Sequence, residues 1–347
     1  MNLSEPWGGA RMPVKIDITC RHISPDASMT VITMDNGFLR LSILPEAGAK
    51  IESIIHLPTG TELLWKNPAI VAGPVPPGSS YDDTWSGGWD ELFPNDEPAT
   101  VGENSYPDHG ELWTCAWAYR IEEDAVVLST TTPVTGCEVE KRIGMADGQP
   151  KVKFHHRLAN PGQKPVPYLW KLHPALHVEP GDRLSIPSDR FVLEPSVEGT
   201  LQGAVPVPGT SQVRLSGQTI NLLEVPPAEC RHLYFFYGID LREGWCALYR
   251  PGSKLAVGLA FPVDVFPTCW MFASYGGWRD FFVAVLEPCT GYPLRLEDIA
   301  AAGRERVLPP GASYEADVVF TVADNVSGIA RITPDGQILS LPGTDSQ

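Results

Sequence analysis

The sequence predicts an all-β protein that folds as one large antiparallel β-sandwich. The 347 residues include 32 glycines and 34 prolines, a proportion typical of many short strands joined by tight turns. Apolar or alternating runs of strand length recur along the chain, and we expect about fifteen or more strands from them. A single segment, LEDIAAAGRER, has a helical pattern, which Gly303 weakens. These observations argue against long helical bundles.

The length is compatible with one domain or two, because domains average roughly 150 residues but all-β domains often exceed about 200. No repeat of about 20 to 50 residues is visible in the chain. We predict an irregular N-terminal arm over residues 1–28, a single sandwich domain over 29–330 and a C-terminal tail over 331–347.

The chain is acidic, with 26 lysines and arginines against 42 aspartates and glutamates, a net charge of −16. This charge repels phosphate backbones and anionic lipids, so we expect no nucleic-acid or membrane binding. The N-terminus has no apolar leader segment, and no run of about 18 apolar residues could form a transmembrane helix. The seven cysteines are scattered, without metal-type or disulfide-type spacing. We therefore expect a reduced, cytoplasmic protein, with a homodimer left open.

Strand signals begin after residue 28. Asn36-Gly37 lies between two apolar runs, which predicts a hairpin with a type I′ turn. Residues 38–44 then alternate with a period of two, as a half-buried strand does. Further strand-length runs follow: AGAKIESIIHL, ELLW, ELWTCAWAYRI, AVVLSTTTP, CEVEKRIGM, KVKFHHRLAN, YLWKLHPALHV, LYFFYGI, WCALYR, KLAVGLAF, CWMFASY, FFVAVLE and YEADVVFTV.

Residues 71–107 interrupt this pattern with a long stretch rich in Gly, Pro, Asp and aromatic residues. Loops of this length in a compact domain are usually functional or disordered, and the aromatic content argues against disorder. We expect Trp89 and Asp90, with Trp85 nearby, to wall one side of a ligand cleft. A solvated acidic loop is about equally compatible with the pattern. The segment contains further polar side chains at Glu91, Asn95 and Asp96.

Three histidines are candidates for a site. His109 lies where the long segment meets a strand, and His173 and His177 share the run WKLHPALHV. A strand places residues four apart on one face, so this spacing permits a metal pair. The glutamate of an HExxH motif is missing, however, and Pro174 disfavours a helix. We therefore predict no metal, and a buried structural role is the alternative for each histidine.

Glu287 directly follows the apolar run FFVAVL. At the mouth of a core strand, partial desolvation would raise the pKa of its carboxyl group. A solvated glutamate at a strand end is the alternative. The chain has no P-loop, no GxGxxG after a strand and no GxSxG motif, so we expect no cofactor.

Taken together, these segments resemble the aldose 1-epimerase (galactose mutarotase-like) superfamily over roughly residues 30–325. The resemblance rests on LSILPEAGAKIESI, the HG of DHGELW, LHPAL, LEPCTGYP and LPPGASYEADVVF, in that order. It implies a large antiparallel β-sandwich that interconverts the α and β anomers of free sugars without metal or cofactor. The implied ligand is a monosaccharide or a sugar derivative.

The resemblance also implies an active site. The first active-site histidine of the family matches His109, the second matches His173, and the catalytic glutamate matches Glu287. The arginine that many members carry before the first histidine has no counterpart in GGWDELFPND, and Ala175-Leu176 replaces Tyr-Phe after the second. The chain therefore looks like a divergent branch, to which galactose or glucose specificity does not transfer.

These residue types suit the opening of a hemiacetal ring. A base takes the O1 proton and an acid protonates the ring oxygen, so the two groups need opposite protonation states near the working pH. We assign Glu287 as the base, His173 as the general acid and His109 as a second donor to the ring oxygen. Further substrate contacts are expected from Trp278, Arg279 and His177.

Two other functional classes remain open. A non-catalytic carbohydrate-binding protein would keep the aromatic residues but would not need the two histidines and the glutamate. A polysaccharide lyase or a phosphosugar epimerase would need clustered basic residues, for which Arg279 in GGWRDFF is the obvious candidate. The net charge argues against both of these enzymes, although it leaves room for a local basic pocket.

Overall fold

The computed structural model describes residues 14–24 and 27–342. These residues form 28 strands, numbered β1 to β28 along the chain, and two short helices, α1 (Tyr81–Thr84) and α2 (Leu296–Ala301). Two single 3₁₀ turns lie at Leu112–Thr114 and Ala228–Cys230. No helix among the described residues is long and apolar enough to cross a membrane. The all-β prediction is confirmed, and LEDIAAAGRER provides the longer helix, which ends before Gly303 at φ 66°.

The large sheet has eleven antiparallel strands and carries the candidate site. Its centre pairs β6 with β14, β14 with β24, and β24 with β23. In sheet order its strands are β1 (Lys15–Ser24), β2 (Ala27–Asp35), β3 (Leu39–Leu44), β4 (Lys50–His56), β6 (Trp89–Leu92), β14 (Lys171–His177), β24 (Phe282–Cys289), β23 (Thr268–Tyr275), β20 (His232–Ile239) and β16 (Arg190–Leu193), with β5 (Thr61–Glu62) on β4.

The second sheet has eight antiparallel strands and covers one face of the first. In sheet order they are β15 (Arg183–Ser185), β21 (Trp245–Arg250), β22 (Leu255–Ala260), β26 (Ser313–Ala323), β12 (Lys151–Ala159), β11 (Glu138–Met145), β10 (Ala125–Thr131) and β9 (Ala118–Glu122). The remaining strands form small ribbons: β7 (Ala99–Val101) with β8 (Asn104–Tyr106), β13 (Val166–Tyr168) with β25 (Arg306–Leu308), β17 (Val205–Pro206) with β18 (Gln212–Leu215) and β19 (Gln218–Asn221), and β27 (Ile329–Ile332) with β28 (Ile338–Ser340).

The two chain ends are more regular than we predicted. The first 13 residues of the predicted arm lie outside the described residues, but Lys15–Ser24 is a strand that pairs with β2 along its whole length. In the predicted tail, β27 and β28 form a hairpin, and Ile332 is buried. Backbone pairing offers these segments hydrogen bonds that a coil would leave to water, although their side-chain patterns are weak.

The hairpin at Asn36-Gly37 is confirmed, but its turn differs from type I′. Gly37 has φ 81°, whereas Asn36 is not in the left-handed region. The Asn36 side chain instead accepts hydrogen bonds from the backbone N–H groups of Phe38 and Leu39 and donates to the carbonyls of Ala146 and Gln149. The two local bonds hold the turn itself, and the other two tie it to a distant loop.

The segment 71–107 is not a structureless loop. It contains α1, the hairpin of β7 and β8, and β6, which lies between β4 and β14 in the large sheet. All four residues of β6 are buried. The strand was missed because its sequence, WDEL, is polar on both faces, and these polar groups are paired inside the protein.

The main core lies between the two large sheets, and strand alternation decides which side chains enter it. On β14 and β24 the even-numbered residues, such as Leu172 and Leu286, join this core. The odd-numbered residues therefore point to the outer face of the large sheet, away from the second sheet. Lys171, His173 and Glu287 all have odd numbers, so the fold places them together on that outer face.

Candidate active site

The candidate site lies on the outer face of the large sheet, where β6, β14 and β24 run side by side. The register sets His173 opposite Asp90 on β6, and it sets Glu287 opposite Trp270 on β23. A cavity of about 140 Å³ opens above these strands. Helix α1 and the loop that carries His109 form part of its wall. Glu287, His173 and His109, which the resemblance implied as catalytic residues, all line this one cavity.

Glu287 shares a buried ionic cluster with Lys171 and Asp96. Lys171 Nζ lies 2.7 Å from Glu287 Oε2, and it also donates a hydrogen bond to Asp96 Oδ2. It lies 4.4 Å from the ring centroid of Trp270. All three charged side chains are at most 4% exposed. Burial disfavours the charge on Lys171, but the two carboxylates outweigh burial and raise its pKa.

The carboxyl group of Glu287 has a raised pKa. Burial is the main cause, and the nearby charge of Lys171 opposes it. Lys171 is within ion-pair distance, but Glu287 Oε2 accepts no hydrogen bond of good geometry from the described residues. The oxygen therefore keeps hydrogen-bonding capacity beside the cavity that Glu287 lines. A carboxylate of raised pKa is a stronger base than an ordinary glutamate.

His173 is held by a chain of buried polar groups. Lys50 Nζ donates to Asp90 Oδ2 at 2.6 Å, and the Tyr81 hydroxyl donates to the same oxygen at 2.8 Å. The hydroxyl oxygen of Tyr81 lies 3.2 Å from His173 Nδ1. Because the Tyr81 proton is used by Asp90, Nδ1 is the donor in this contact, and the neutral ring keeps a free lone pair on Nε2. Burial and the nearby cations, Lys171 first, lower the pKa of His173 well below its ordinary value.

The pKa of His109 is shifted in the opposite direction. Its ring stacks on Tyr81 with the centroids 4.1 Å apart, and Nδ1 lies 2.7 Å from Asp108 Oδ1. Burial lowers the pKa of His109, but the charges of Asp96 and Asp108 outweigh burial and raise it overall. The two histidines therefore differ in protonation: His109 favours the imidazolium and His173 the neutral ring.

The loop that presents His109 is bonded to the loop that follows β6. The N–H of His109 donates to the carbonyl of Asp96, and the N–H of Glu111 donates to that of Phe93. Gly110 has φ 73°, and a Cβ atom there would lie 2.2 Å from the Phe93 carbonyl oxygen. This position requires glycine for both reasons, which explains the HG pair in the sequence.

The predicted substrate-contact residues fall into three groups. Trp85 and Trp278 line the cavity. Asp90 lies beneath it, 2% exposed, as part of the chain that holds His173. The other three predicted residues, Trp89, His177 and Arg279, do not line the cavity.

Trp89 was predicted to face the ligand cleft, but its side chain lies on the opposite face of β6. It packs against Phe154 and Phe320 in the main core and is 4% exposed. The prediction treated GGWDELFPND as a loop, in which any side chain could face the ligand. Because β6 is a strand, Trp89 and Asp90 must point to opposite faces.

His177 and Arg279 lie away from the cavity for different reasons. His177 is at the far end of β14, roughly 13 Å from His173 at the usual rise of about 3.3 Å per residue. Arg279 lies on the surface, where it pairs with Asp83 at 2.7 Å and stacks on Trp278 at 4.8 Å. Among residues 14–24 and 27–342, no group of three or more His, Cys, Asp and Glu side chains has the arrangement of a metal site.

Sequence reasoning missed Lys171 and Tyr81, and it gave Asp96 no role. A signal for Lys171 was present, since it stands two residues before His173 and a strand places both on one face. No signal pointed to Tyr81 or to Asp96, because their contacts with His173 and Lys171 span 92 and 75 residues of chain.

The cavity is acidic and not basic. Carboxylates of Asp82, Asp96, Glu97 and Glu287 line it, and Lys171, which is already paired, is its one lining lysine or arginine among the described residues. A phosphate or uronate group would meet these carboxylates, while the cations beside them, Lys171 and the imidazolium of His109, are already paired with protein carboxylates. This charge distribution removes the local basic pocket that a phosphosugar epimerase or a lyase would need.

Trp278 is expected to contribute an apolar surface to ligand binding, since sugar C–H groups pack on indole rings. Replacing Trp278 by Ala should weaken sugar binding about tenfold, which corresponds to about 1.4 kcal/mol. Calorimetric titration would measure this loss of affinity. The matched variant Trp89→Phe should lower the free energy of unfolding by about 1–3 kcal/mol through lost packing and leave affinity unchanged. If Trp89→Phe weakens binding more than Trp278→Ala does, the placement of the two indoles is contradicted.

No family model matches the chain, and no curated protein matches it. Solved structures share its architecture. A Klebsiella pneumoniae protein provisionally named an aldose 1-epimerase superposes with a TM-score of 0.67 at 15% identity, over 88% of this chain and 83% of that one. A similarly named Escherichia coli protein superposes with a TM-score of 0.61 at 17% identity, over 85% of this chain and 99% of that one. A galactose mutarotase-like protein from Lactobacillus casei superposes with a TM-score of 0.59 at 16% identity, over 84% of this chain and 100% of that one. At these identities the similarity concerns the fold alone: the chain has the galactose mutarotase-like fold, as its sequence predicts.

Proposed function

We propose that this protein is an isomerase that interconverts the α and β anomers of a free, uncharged sugar by general acid–base catalysis. The observation that carries the proposal is one cavity lined by a carboxyl group of raised pKa and an imidazole of raised pKa. Ring opening needs such a pair, one group to accept a proton and one to donate it. The structural relatives named for this activity support the same reading by analogy of fold.

In the proposed reaction Glu287 takes the proton from the O1 hydroxyl, and the C1–O1 bond becomes the aldehyde double bond. The bond between C1 and the ring oxygen breaks, and its electron pair takes a proton from the imidazolium of His109. The open aldehyde turns about its C1–C2 bond. Ring closure on the other face of C1 then returns both protons to their donors, so atoms and charges balance over the cycle.

This proposal changes the roles that the sequence suggested for the two histidines: His109, named as a second donor, becomes the general acid, and His173 becomes a hydrogen-bond acceptor. We assigned His173 as the general acid, but its lowered pKa favours a neutral ring at working pH. A neutral His173 whose Nδ1 is bonded to Tyr81 can accept a hydrogen bond at Nε2 from a sugar hydroxyl. His109, with its raised pKa, is the better proton donor.

The activity is tested by nuclear magnetic resonance exchange between anomers, across neutral, phosphorylated and acidic monosaccharides. We expect catalysed exchange for neutral sugars and little for charged ones, because the cavity is acidic. If sugars bind without any catalysed exchange, the protein is a carbohydrate-binding protein and the enzymatic proposal fails. Faster exchange of a phosphorylated sugar would contradict the substrate class.

The pH dependence follows from the two perturbed groups. Glu287 must be ionised and His109 protonated, so kcat/KM should rise as Glu287 loses its proton and fall as His109 loses its own. Both limbs of the pH profile of kcat/KM should lie at higher pH than the ordinary pKa values of glutamate and histidine would give, since both pKa values are raised. Asp108→Asn removes one negative charge beside His109, and the alkaline limb should move to lower pH.

The control for this shift is Asp83→Asn. Asp83 is an exposed partner of Arg279, and its replacement should leave both limbs in place. An alkaline limb that Asp108→Asn leaves unmoved would contradict the assignment of His109 as the acid. Movement of that limb on mutation of His173 instead would restore the assignment made from the sequence.

A further inference from the structure

A second cavity lies beside the first on the same face of the large sheet. It has a volume of about 240 Å³ and borders the first at Val197, Leu233 and Phe235, which line both. We call it the side cavity. Glu194 and Gln202 are its polar side chains, and its other lining residues are apolar or glycine. The proposed ring-opening reaction uses none of it.

The sheet register shows how the side cavity lies relative to Glu287. Glu287 on β24 is opposite Trp270 on β23, and Trp270 is opposite Tyr237 on β20. The N–H of Glu194, just beyond β16, donates to the carbonyl of Phe235 on β20. Three strand spacings, about 14 Å, therefore separate Glu287 from Glu194 across the sheet, and Glu194 is offset by two residues along the strand direction. The two adjoining cavities together extend further than one pyranose ring requires.

Glu194 is held in a fixed orientation. It is 8% exposed, its Oε2 accepts a hydrogen bond from the Tyr237 hydroxyl, and its Oε1 accepts one from the N–H of Ser196 at 2.8 Å. Oε1 also accepts from the Ser196 hydroxyl, whereas Oε2 has a second lone pair with which Glu194 can accept from a ligand hydroxyl. Phe235, whose ring contacts those of Trp270 and Phe272, adds an aromatic surface.

We propose that the substrate is a reducing disaccharide or longer reducing oligosaccharide, with its reducing-end ring at Glu287 and its second ring in the side cavity. The inference rests on the proposed function for the position of the reducing ring. Glu194 and Gln202 bind hydroxyls of the second ring, and Phe235 packs against its C–H face. The acidic lining requires that the second ring, like the first, carries no anionic group.

The test compares anomer exchange of glucose and galactose with that of maltose, cellobiose, lactose and melibiose. For at least one disaccharide we expect kcat/KM at least tenfold above that of either monosaccharide. Gln202→Trp introduces an indole into the side cavity from an exposed position. It should abolish this preference and leave monosaccharide exchange within about twofold of wild type.

The matched control is Glu198→Trp. Glu198 is exposed on the same loop but lines neither cavity, so its replacement should change neither activity. Equal kcat/KM for monosaccharides and all four disaccharides would overturn the proposal. So would a uniform loss of activity in Gln202→Trp, or a preference for 6-O-octanoylglucose over every disaccharide, which would mean that the side cavity takes an apolar substituent.

Calorimetric titration separates this proposal from the proposed function. If no sugar undergoes catalysed exchange but a disaccharide binds at least tenfold more tightly than glucose, and Gln202→Trp removes the difference, the side cavity is a sugar subsite and only the catalytic proposal fails. If catalysed exchange occurs and binding is equal for all sugars, the catalytic proposal stands and the side cavity proposal fails.

Discussion

Replacing Glu287 by Gln is expected to slow catalysed anomer exchange by about 10²–10⁴-fold, the usual contribution of a general base. The amide keeps the shape of the side chain and cannot take the O1 proton. Lys171 retains its bond to Asp96, so the fold should persist and sugar affinity should change little. Exchange spectroscopy measures the rate, and calorimetric titration measures the affinity.

The partner variants make this prediction specific. His109→Gln should cost a comparable factor, and the double variant should lose far less than the product of the two, because both groups serve one proton-transfer sequence. Near-normal exchange by Glu287→Gln would refute the mechanism. Asp90 and Glu91 do not line the cavity, so Asp96 would then be the next carboxylate to test.

Replacing Lys171 by Met is expected to lower the free energy of unfolding by about 3–5 kcal/mol, the usual cost of removing one partner from a buried ion pair. Asp96 and Glu287 would then share a buried site without their cation. The matched variant Lys66→Met removes an exposed lysine that pairs with Glu62, and it should cost less than about 1 kcal/mol. Chemical denaturation measures both.

The loss of unfolding free energy in Lys171→Met should depend on pH. Lys171 is the largest interaction that lowers the pKa of Glu287, so its removal raises that pKa further above the unfolded value. The folded state then binds more protons than the unfolded state, and stability falls as pH rises. The deficit should be smallest in acid, below the unfolded pKa of glutamate, and grow toward neutral pH.

Adding Asp96→Asn to Lys171→Met should restore part of the lost stability, because it removes the charge that faces Glu287. A deficit that is independent of pH and unaffected by the second substitution would mean that Lys171 contributes through packing on Trp270 and not through charge.

Local sequence was sufficient for the fold class. Turn residues and period-two runs are short-range signals, and burial on β12 alternates as KVKFHHRLAN predicts. The signal was insufficient for β6, whose sequence WDEL carries a polar residue on each face and whose strand character comes from pairing with the distant β14. We missed β1 although Ile16 and Ile18 alternate with polar residues, because most of its side chains are exposed and it is held by pairing with the neighbouring β2. The same alternation on β12 puts His156 on the buried face, where its Nδ1 lies 3.3 Å from Glu91 Oε1, but it gives no sign of this charged partner.

The sequence by itself also determined which residues to test. Glu287, His173 and His109 were named from the resemblance, and strand parity alone places His173 and Lys171 on one face. Their roles were decided only by the tertiary structure. The pKa of a histidine depends on burial first and then on nearby charges. Asp108 and Lys171 are close in sequence to His109 and His173, but Asp96 acts on His109 from another segment, and His109 and Lys50 act on His173 in the same way. The fold brings those charges together around β6, β14 and β24. Because electrostatic interactions act through space and not along the chain, only the tertiary structure decides their effect.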